Sequence, residues 1–309
     1  METVDLGALV ITLRAMRPLV IRQHMGLAAQ QLCLDLVRDA DPVLSAELHA
    51  IRQTKPYTVS GLLLPESTRP VMGQLTPGDR AWVRLVGLRA DVVAALDIFA
   101  QHRSATLNFD RTPWAVESVS WTDHPWAGQS SFQQLVVCSQ QAAPPDTVWL
   151  EFASPTAFSS ADLNIPLPDP MRVFDSLQHQ WNALNPLPAV FVLPETFMDF
   201  VQHFVPLTEY RAHSEMVQLK TPEIGFCAER VKFAIKPRAK VSNRLRIKNS
   251  DRARVLDALN DQRDDLARAV ALLSDFSFYC GVGIKTTSGM GHGGYRAFRF
   301  KRGTYCRRI

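Results

Sequence analysis

The sequence predicts an α+β protein made of two ferredoxin-like (βαββαβ, RRM-like) units in tandem. The length of 309 residues suits two domains, and a content of 46% apolar and 21% charged residues is typical of a globular chain. Both halves show the same order of patterns, namely strand, helix, two strands, helix, strand. No stretch approaches the roughly 20 apolar residues of a membrane span, so we expect no membrane contact.

The first unit is predicted over residues 1–145. Residues 4–14 alternate like a half-buried strand, and residues 22–38 place apolar side chains on one helical face. Asp41 and Pro42 predict the start of a short helix that ends near His49, because Asp caps helices and Pro suits the first helical position. The remaining elements are predicted at residues 57–64 (strand), 81–86 (strand), 89–101 (helix) and 135–137 (strand, between loops).

A proline-containing segment, residues 142–146, predicts the boundary to a second unit over residues 146–309. Here residues 148–153 alternate as a strand, and Asp169 with Pro170 predicts the start of a helix. The elements predicted after that helix are a pair of strands at 231–236 and 241–248, a helix at 250–276 and a strand at 295–301.

Positive charge is concentrated in the last quarter of the chain. Residues 1–150 carry a net charge of −2, residues 151–228 carry −6, and residues 229–309 carry +12. Such a separation attracts a polyanion and contributes little to folding, so a nucleic acid is the expected partner.

Other features exclude several classes of protein. The five cysteines are widely spaced and form no CxxC pair, so we expect no thiolate zinc site. We also expect no other metal and no cofactor. Glu2 and Asp5 stand where a secretory signal would carry lysines, so we expect a cytoplasmic protein.

Residues 281–294 hold six of the fifteen glycines of the chain. Glycine permits positive φ and close approach of the backbone to a partner, and the segment 285–288 adds ammonium and hydroxyl donors suited to phosphate oxygens. The spacing matches neither a Walker loop nor the dinucleotide fingerprint. We interpret this segment as an anion-binding loop, and the alternative is a turn that only lets a strand pack closely.

Residues 230–254 hold ten basic residues and one acidic residue. Because a solvated surface usually mixes charge signs, the predicted strands of this segment indicate contact with RNA phosphates; a plain solvated face is the alternative. The residues predicted to bind RNA in the two segments are Lys232, Lys236, Arg238, Lys240, Arg244, Arg246, Lys248, Gly283, Lys285, Thr286, Thr287, Ser288, Gly289 and Gly291.

The loop after the short helix combines an imidazole with two cations. His49 closes the helix, and Arg52 and Lys55 follow it before the next strand. An imidazole with a pKa of about 6.5 can exchange protons near neutral pH while cations hold a phosphate. A single histidine is more often structural, and seven others compete, with His24 near Arg22 as the closest rival.

Three segments resemble the sixth CRISPR-associated protein family of the RAMP superfamily, which trims repeat-containing precursor RNA. Residues 283–291 are similar to its signature glycine-rich loop, residues 48–60 to its LH…KxFTxS segment, and residues 149–156 to its F-x-S-P-T strand. The segments follow one another in the family's order and span nearly the whole chain.

The resemblance implies two ferredoxin-like domains and metal-independent cleavage of CRISPR repeat RNA by its own 2′-hydroxyl, which gives crRNA with 2′,3′-cyclic phosphate and 5′-hydroxyl ends. It implies His49 as the general acid/base and Lys55 as the cation that stabilises the phosphorane, with Arg52 sharing that task. Some members complete the site with a tyrosine on the first helix, which residues 30–36 lack. Either another residue activates the 2′-hydroxyl, with Tyr57 and His24 as candidates, or the geometry of binding supplies most of the effect.

Two alternatives stay open. A non-catalytic RAMP protein that binds guide RNA as a structural subunit of an interference complex would need the basic surface but not His49. An unrelated sheet protein could stack single-stranded bases on aromatic side chains, although aromatics are sparse in the final strands. The expected partners are CRISPR repeat RNA or crRNA, with effector-complex subunits as further candidates, and the chain is expected to be a monomer or homodimer.

Overall fold

The computed structural model describes residues 4–161, 163–186, 191–242 and 249–295, and these form a mixed α+β structure, as predicted. Among them, no helix has the length and apolar character needed to cross a membrane. The strands are β1 (Leu6–Ala15), β2 (Leu19–Ile21), β3 (Tyr57–Val59), β4 (Gly73–Leu75), β5 (Arg80–Gly87), β6 (Thr106–Phe109), β7 (Thr112–Ser120), β8 (Gly128–Ser130), β9 (Thr147–Thr156), β10 (Phe158–Ser160), β11 (Leu163–Ile165), β12 (Leu207–Gln218), β13 (Pro222–Ala234) and β14 (Gly293–Tyr295). The helices are α1 (Gly26–Ala40), α2 (Pro42–Ala50), α3 (Ala90–Gln101), α4 (Phe132–Gln141), α5 (Pro170–Leu184), α6 (Phe197–Phe204), α7 (Ser250–Asp261) and α8 (Arg263–Cys280), with a 3₁₀ turn at Thr286–Ser288.

Two antiparallel sheets repeat one strand order. The first sheet runs β3-β5-β1-β7-β6, with β8 also beside β1. The second runs β12-β13-β9-β14. In the pattern strand, helix, strand, strand, helix, strand, the four strands are β1, β3, β5 and β7 in the first half and β9, β12, β13 and β14 in the second. In both sheets the first of these strands lies between the third and the fourth. Both halves therefore contain the order strand, helix, strand, strand, helix, strand among their elements, although in the second half the two middle strands lie earlier in the chain than predicted.

Strand β1 is buried on both faces over most of its length, and the prediction of a half-buried strand was wrong there. Leu9, Ile11 and Leu13 pack in one core with residues of α1, α2 and α3. Leu6, Ala8 and Val10 point to the other face and pack in a core shared with the second half of the chain. The second half thus covers the face that an isolated unit would leave in solvent.

The strand predicted at residues 135–137 is part of helix α4. The Ser131 side chain caps this helix by accepting a hydrogen bond from the Gln134 N–H at 3.0 Å. Phe132, Val136 and Ser139 are buried at helical spacing, and three apolar residues in a row had hidden that period. Strand β7 was missed because Pro113 lies inside it, and the preceding strand β6 was missed with it.

The first strand of the predicted basic pair is confirmed in part, because residues 231–234 belong to β13, which is bonded to β12 on one edge and to β9 on the other. Most of the second strand, predicted at residues 241–248, lies outside the described residues. Arg244, Arg246 and Lys248 lie outside the described residues, as does most of the strand predicted at 295–301. The helix predicted at 250–276 is two helices, α7 and α8, separated at Gln262.

Candidate active site

The loop that follows α2 is fixed by a lysine. The Asp41 side chain begins α2 by accepting hydrogen bonds from the N–H groups of Val43 and Leu44. At the other end, Lys55 Nζ donates to the carbonyl of Leu48 at 2.7 Å and to that of His49 at 3.3 Å. The ammonium therefore satisfies carbonyls that a helix C-terminus leaves unpaired, and partial burial lowers the pKa of Lys55.

This loop faces the glycine-rich segment and α5 across a cleft of about 790 Å³, which we call the small cleft. The small cleft brings together Arg52 and Lys55 with Lys285, Thr286 and Thr287, which the sequence had singled out separately. Its charged and hydroxyl-bearing lining consists of Arg52, Thr54, Lys55, Ser159, Arg172, Asp175, Ser176, Lys285, Thr286 and Thr287, with His179 beside them. Four cations and one carboxylate thus line the small cleft, and one of these cations, Lys285, is paired with Glu223; the remaining excess of positive charge suits a phosphate group.

The glycine-rich segment adopts backbone conformations that favour glycine. Gly281, Gly283, Gly289 and Gly291 have φ between 65° and 88°, a region that favours glycine. The Gly283 N–H donates to Ser176 Oγ at 2.9 Å, so α5 anchors the segment where it enters the small cleft.

The segment also joins the two halves of the molecule. A Cβ atom on Gly289 would lie 2.6 Å from His24 Cε1 and 2.9 Å from Gly26 Cα. The packing role that the sequence left as an alternative is therefore realised, while Thr286 and Thr287 reach the small cleft.

Lys285 is already engaged within the protein. It forms a hydrogen-bonded ion pair with the buried carboxylate of Glu223, which holds the pKa of Glu223 below its ordinary value. Its charge is therefore partly neutralised before any ligand binds.

The two weaker candidates for 2′-hydroxyl activation do not line the small cleft. His24 Nδ1 accepts a hydrogen bond from the Gly26 N–H at 3.1 Å, and burial lowers the pKa of His24 to about 4. Tyr57 is fully buried; its hydroxyl accepts a hydrogen bond from Gln30 Nε2, and burial raises its pKa to about 12. At neutral pH both groups are neutral and packed.

His49 is exposed on the last turn of α2, and its side chain is not part of the small-cleft lining. Only its backbone carbonyl contacts Lys55. Of the three strongest candidates, the structure brings Arg52 and Lys55 together in the small cleft and leaves the imidazole on the helix end beside it.

Sequence reasoning missed the contribution of α5 to the small cleft. His179 Nε2 lies 3.4 Å from Thr54 Oγ1 across it, and Arg172 and Ser176 stand on the same helix. Positions 172, 176 and 179 share one helical face, so a polar stripe beside the predicted apolar face was an available signal.

Seven other residues predicted to bind RNA are described by the structure and do not line the small cleft, namely Lys232, Lys236, Arg238, Lys240, Ser288, Gly289 and Gly291. Lys232 Nζ lies 5.1 Å from the ring centre of Trp149, and Arg238 pairs with Asp264 at 3.7 Å. Lys236 and Lys240 are exposed, whereas Ser288, Gly289 and Gly291 belong to the part of the glycine-rich segment that packs within the protein.

A larger groove of about 2050 Å³ runs between the two sheets, and we call it the large groove. Its charges are mixed, and some are paired, such as Arg80 with Glu117 at 2.8 Å. The charged residues that line it are Arg14, Arg69, Arg80 and Arg230 with Glu66, Glu117, Glu151, Glu215 and Glu229. By charge, the small cleft is the better phosphate site.

Comparison with known proteins finds a family model that matches part of the chain. Residues 150–293 match the model of the family described as CRISPR-associated endoribonuclease Cas6. A comparison with curated proteins gives no match.

Several solved structures share the fold. A product complex of Cas6 (TTHA0078) is 23% identical, covers 94% of this chain and 99% of its own, and has a TM-score of 0.69. A product complex of Cas6 (TTHB231), a Thermus thermophilus protein, is 21% identical, covers 96% and 100%, and has a TM-score of 0.70. A Cas6-related protein from Pyrococcus furiosus is 11% identical, covers 95% and 100%, and has a TM-score of 0.55. Residues 150–293 thus match the model of the CRISPR-associated endoribonuclease Cas6 family, and the fold is shared over nearly the whole chain with solved Cas6 structures.

Proposed function

We propose that this chain cleaves CRISPR repeat RNA in precursor transcripts without a metal ion, leaving crRNA with 2′,3′-cyclic phosphate and 5′-hydroxyl ends. The observation that carries this proposal is the small cleft, where Arg52 and Lys55 face the glycine-rich segment and α5. The structures that share the fold include Cas6 proteins bound to a product and to a substrate mimic.

The proposed reaction is an attack of the ribose 2′-oxygen on the adjacent phosphorus. A base takes the 2′-hydroxyl proton, the new P–O bond forms, the bond to the 5′-oxygen breaks, and an acid protonates that oxygen. Proposed as this acid/base, His49 would contribute roughly 10²–10⁴-fold. Lys55 and Arg52 would stabilise the charge that develops on the phosphorane oxygens.

The lining of the small cleft supports a metal-independent reaction. Metal-assisted phosphoryl transfer uses carboxylates to hold the ions, often two ions at once. Asp175 is the one carboxylate among the described residues that line this cleft, and four cations line it as well. The cations themselves can supply the positive charge.

The same proposal covers the architecture and its division. We propose two ferredoxin-like units, residues 1–145 and 146–309, because both sheets place the first strand between the third and fourth. Helix α4 precedes that boundary but packs on the second core, with the Phe132 ring 5.2 Å from that of Trp181.

One observation favours a second candidate, a non-catalytic protein that binds guide RNA within an interference complex. The imidazole of His49 stands outside the lining of the small cleft, whereas a binding role needs only the cations.

Labelled repeat RNA incubated with the protein in EDTA tests the proposal. We expect discrete cuts with cyclic phosphate ends, and a loss of about 10²-fold or more in single-turnover rate for His49→Ala. His102→Ala, an exposed histidine at the end of α3, is the matched control and should cleave like the wild type. Equal rates for His49→Ala and wild type, or 3′-hydroxyl products, would contradict the mechanism.

A further inference from the structure

A second cluster of reactive side chains lies on the β12–β13 hairpin, facing the large groove. His213 and Glu215 are two residues apart on β12 and therefore point to the same face. Cys227 on β13 is directly opposite His213 in the strand register, so its side chain joins them.

The register also leaves space for Glu215 to lean towards Cys227. Opposite Glu215 stands Gly225, where a Cβ would lie only 2.6 Å from the backbone of residues 155 and 156. The close approach of β9 thus requires glycine there, and no side chain separates Glu215 from Cys227.

The donor atoms are spaced as ligands of one ion. One ligand atom from each of His213, Glu215 and Cys227 lies within 4.8 Å of the other two. Cys227 Sγ is 3.5 Å from Glu215 Oε2. Zinc bonds of about 2.0–2.3 Å in a tetrahedral arrangement place neighbouring donor atoms about 3.5 Å apart. Small side-chain rotations would therefore complete three ligand positions.

We propose that His213, Glu215 and Cys227 bind one borderline-soft divalent cation of the Zn²⁺ class, with a water molecule as the fourth ligand. Mixed thiolate, imidazole and carboxylate donors select such ions over Mg²⁺ or Ca²⁺. The bound ion would cross-link β12 and β13 and add positive charge to the large groove.

The protonation state of Cys227 agrees with binding of a cation in place of the thiol proton. Burial and the neighbouring Glu215 raise the pKa of Cys227, so without an ion the thiol keeps its proton and donates it towards the carboxylate. Binding replaces that proton with the cation and releases it to solvent, as thiolate ligation requires.

Cobalt binding to the full-length protein, after removal of metal by EDTA and dialysis, tests the proposal. We expect one equivalent of Co²⁺ to bind with a thiolate-to-cobalt charge-transfer band, and Zn²⁺ to displace it. His213→Ala should weaken binding by more than the roughly 10–100-fold that outer-shell changes cause, and Cys227→Ser should abolish the band. His213 is exposed, so its variant should fold, and His102→Ala is the matched surface control.

The outcomes separate clearly. Absence of the band in the wild type, its persistence in Cys227→Ser, or unchanged affinity in His213→Ala would overturn the site. RNA cleavage in EDTA is a separate readout, because none of the three residues lines the small cleft. Failure of the metal-binding test would therefore leave the proposed RNA cleavage unaffected, and failure of the cleavage test would leave the proposed metal site unaffected.

Discussion

Gly289→Ala tests whether close packing of the glycine-rich segment at Gly289 stabilises the contact between the two halves of the molecule. Gly289 has a φ of +88°, and a Cβ would meet His24 and the backbone of Gly26 and Gly61 at 2.6–3.1 Å. Gly78 has a φ of +99° and nothing within 4 Å of the same position. The two alanine variants therefore share the backbone strain and differ in packing.

The expected magnitudes follow from these two contributions. An alanine held at positive φ costs about 1–2 kcal/mol, which both variants should lose. Overpacking against neighbours that cannot move freely costs about 1–3 kcal/mol more, and two of the three contacts of Gly289 are backbone atoms. Gly289→Ala should therefore be less stable than Gly78→Ala by about 1–3 kcal/mol.

Urea unfolding followed by tryptophan fluorescence measures this difference. The same preparations should show slower repeat-RNA cleavage for Gly289→Ala only, because the displaced segment carries Thr286 and Thr287 into the small cleft. If Gly289→Ala and Gly78→Ala have free energies of unfolding that agree within about 0.5 kcal/mol, the close packing at Gly289 would be refuted, since surface changes without a packing effect fall in that range.

Three further predictions concern Lys55, Arg172 and His24. Lys55→Met should lower the single-turnover cleavage rate by about 10²-fold or more, and a gel-shift assay should show smaller changes in RNA affinity. Arg172→Ala should reduce the slope of log affinity against log salt by about one, whereas Arg103→Ala, exposed and away from the cleft, should leave it unchanged. Burial lowers the pKa of His24 to about 4, so the unfolded chain protonates first and the free energy of unfolding should fall as pH drops from about 6.5 to 4. Urea titrations at pH 7 and pH 5 should show a weaker fall in His24→Asn, with buried His292 contributing to the remainder.

Periodicity located the elements that have one exposed face or a clear cap. Asp41 with Pro42 and Asp169 with Pro170 marked the starts of α2 and α5 correctly, because side-chain caps are local in sequence. Strand β1 was located but its burial was not, since its second face is covered by a distant part of the chain. The local sequence pattern likewise could not predict the strands that pair with β13, because these are β12 and β9 and the pairing with β9 joins distant parts of the chain.

The candidate site divides in the same way. Arg52 and Lys55 could be found because they follow a histidine in one short loop, and Thr286 and Thr287 because they interrupt a run of glycines. That these segments face each other depends on how the two halves pack, which no local pattern records. His179 was passed over because a lone histidine on a predicted amphipathic helix carries no signal until Thr54 lies opposite it.

The location of the scissile phosphate is the most direct test of the account. A repeat RNA with a 2′-deoxy block and a photo-crosslinker at the cleavage nucleotide should remain uncut and crosslink to the peptides that line the small cleft, namely residues 52–55, α5 and residues 283–287. Cleavage of the blocked RNA, or crosslinks confined to the large groove, would contradict the claim that the 2′-hydroxyl attacks within the small cleft.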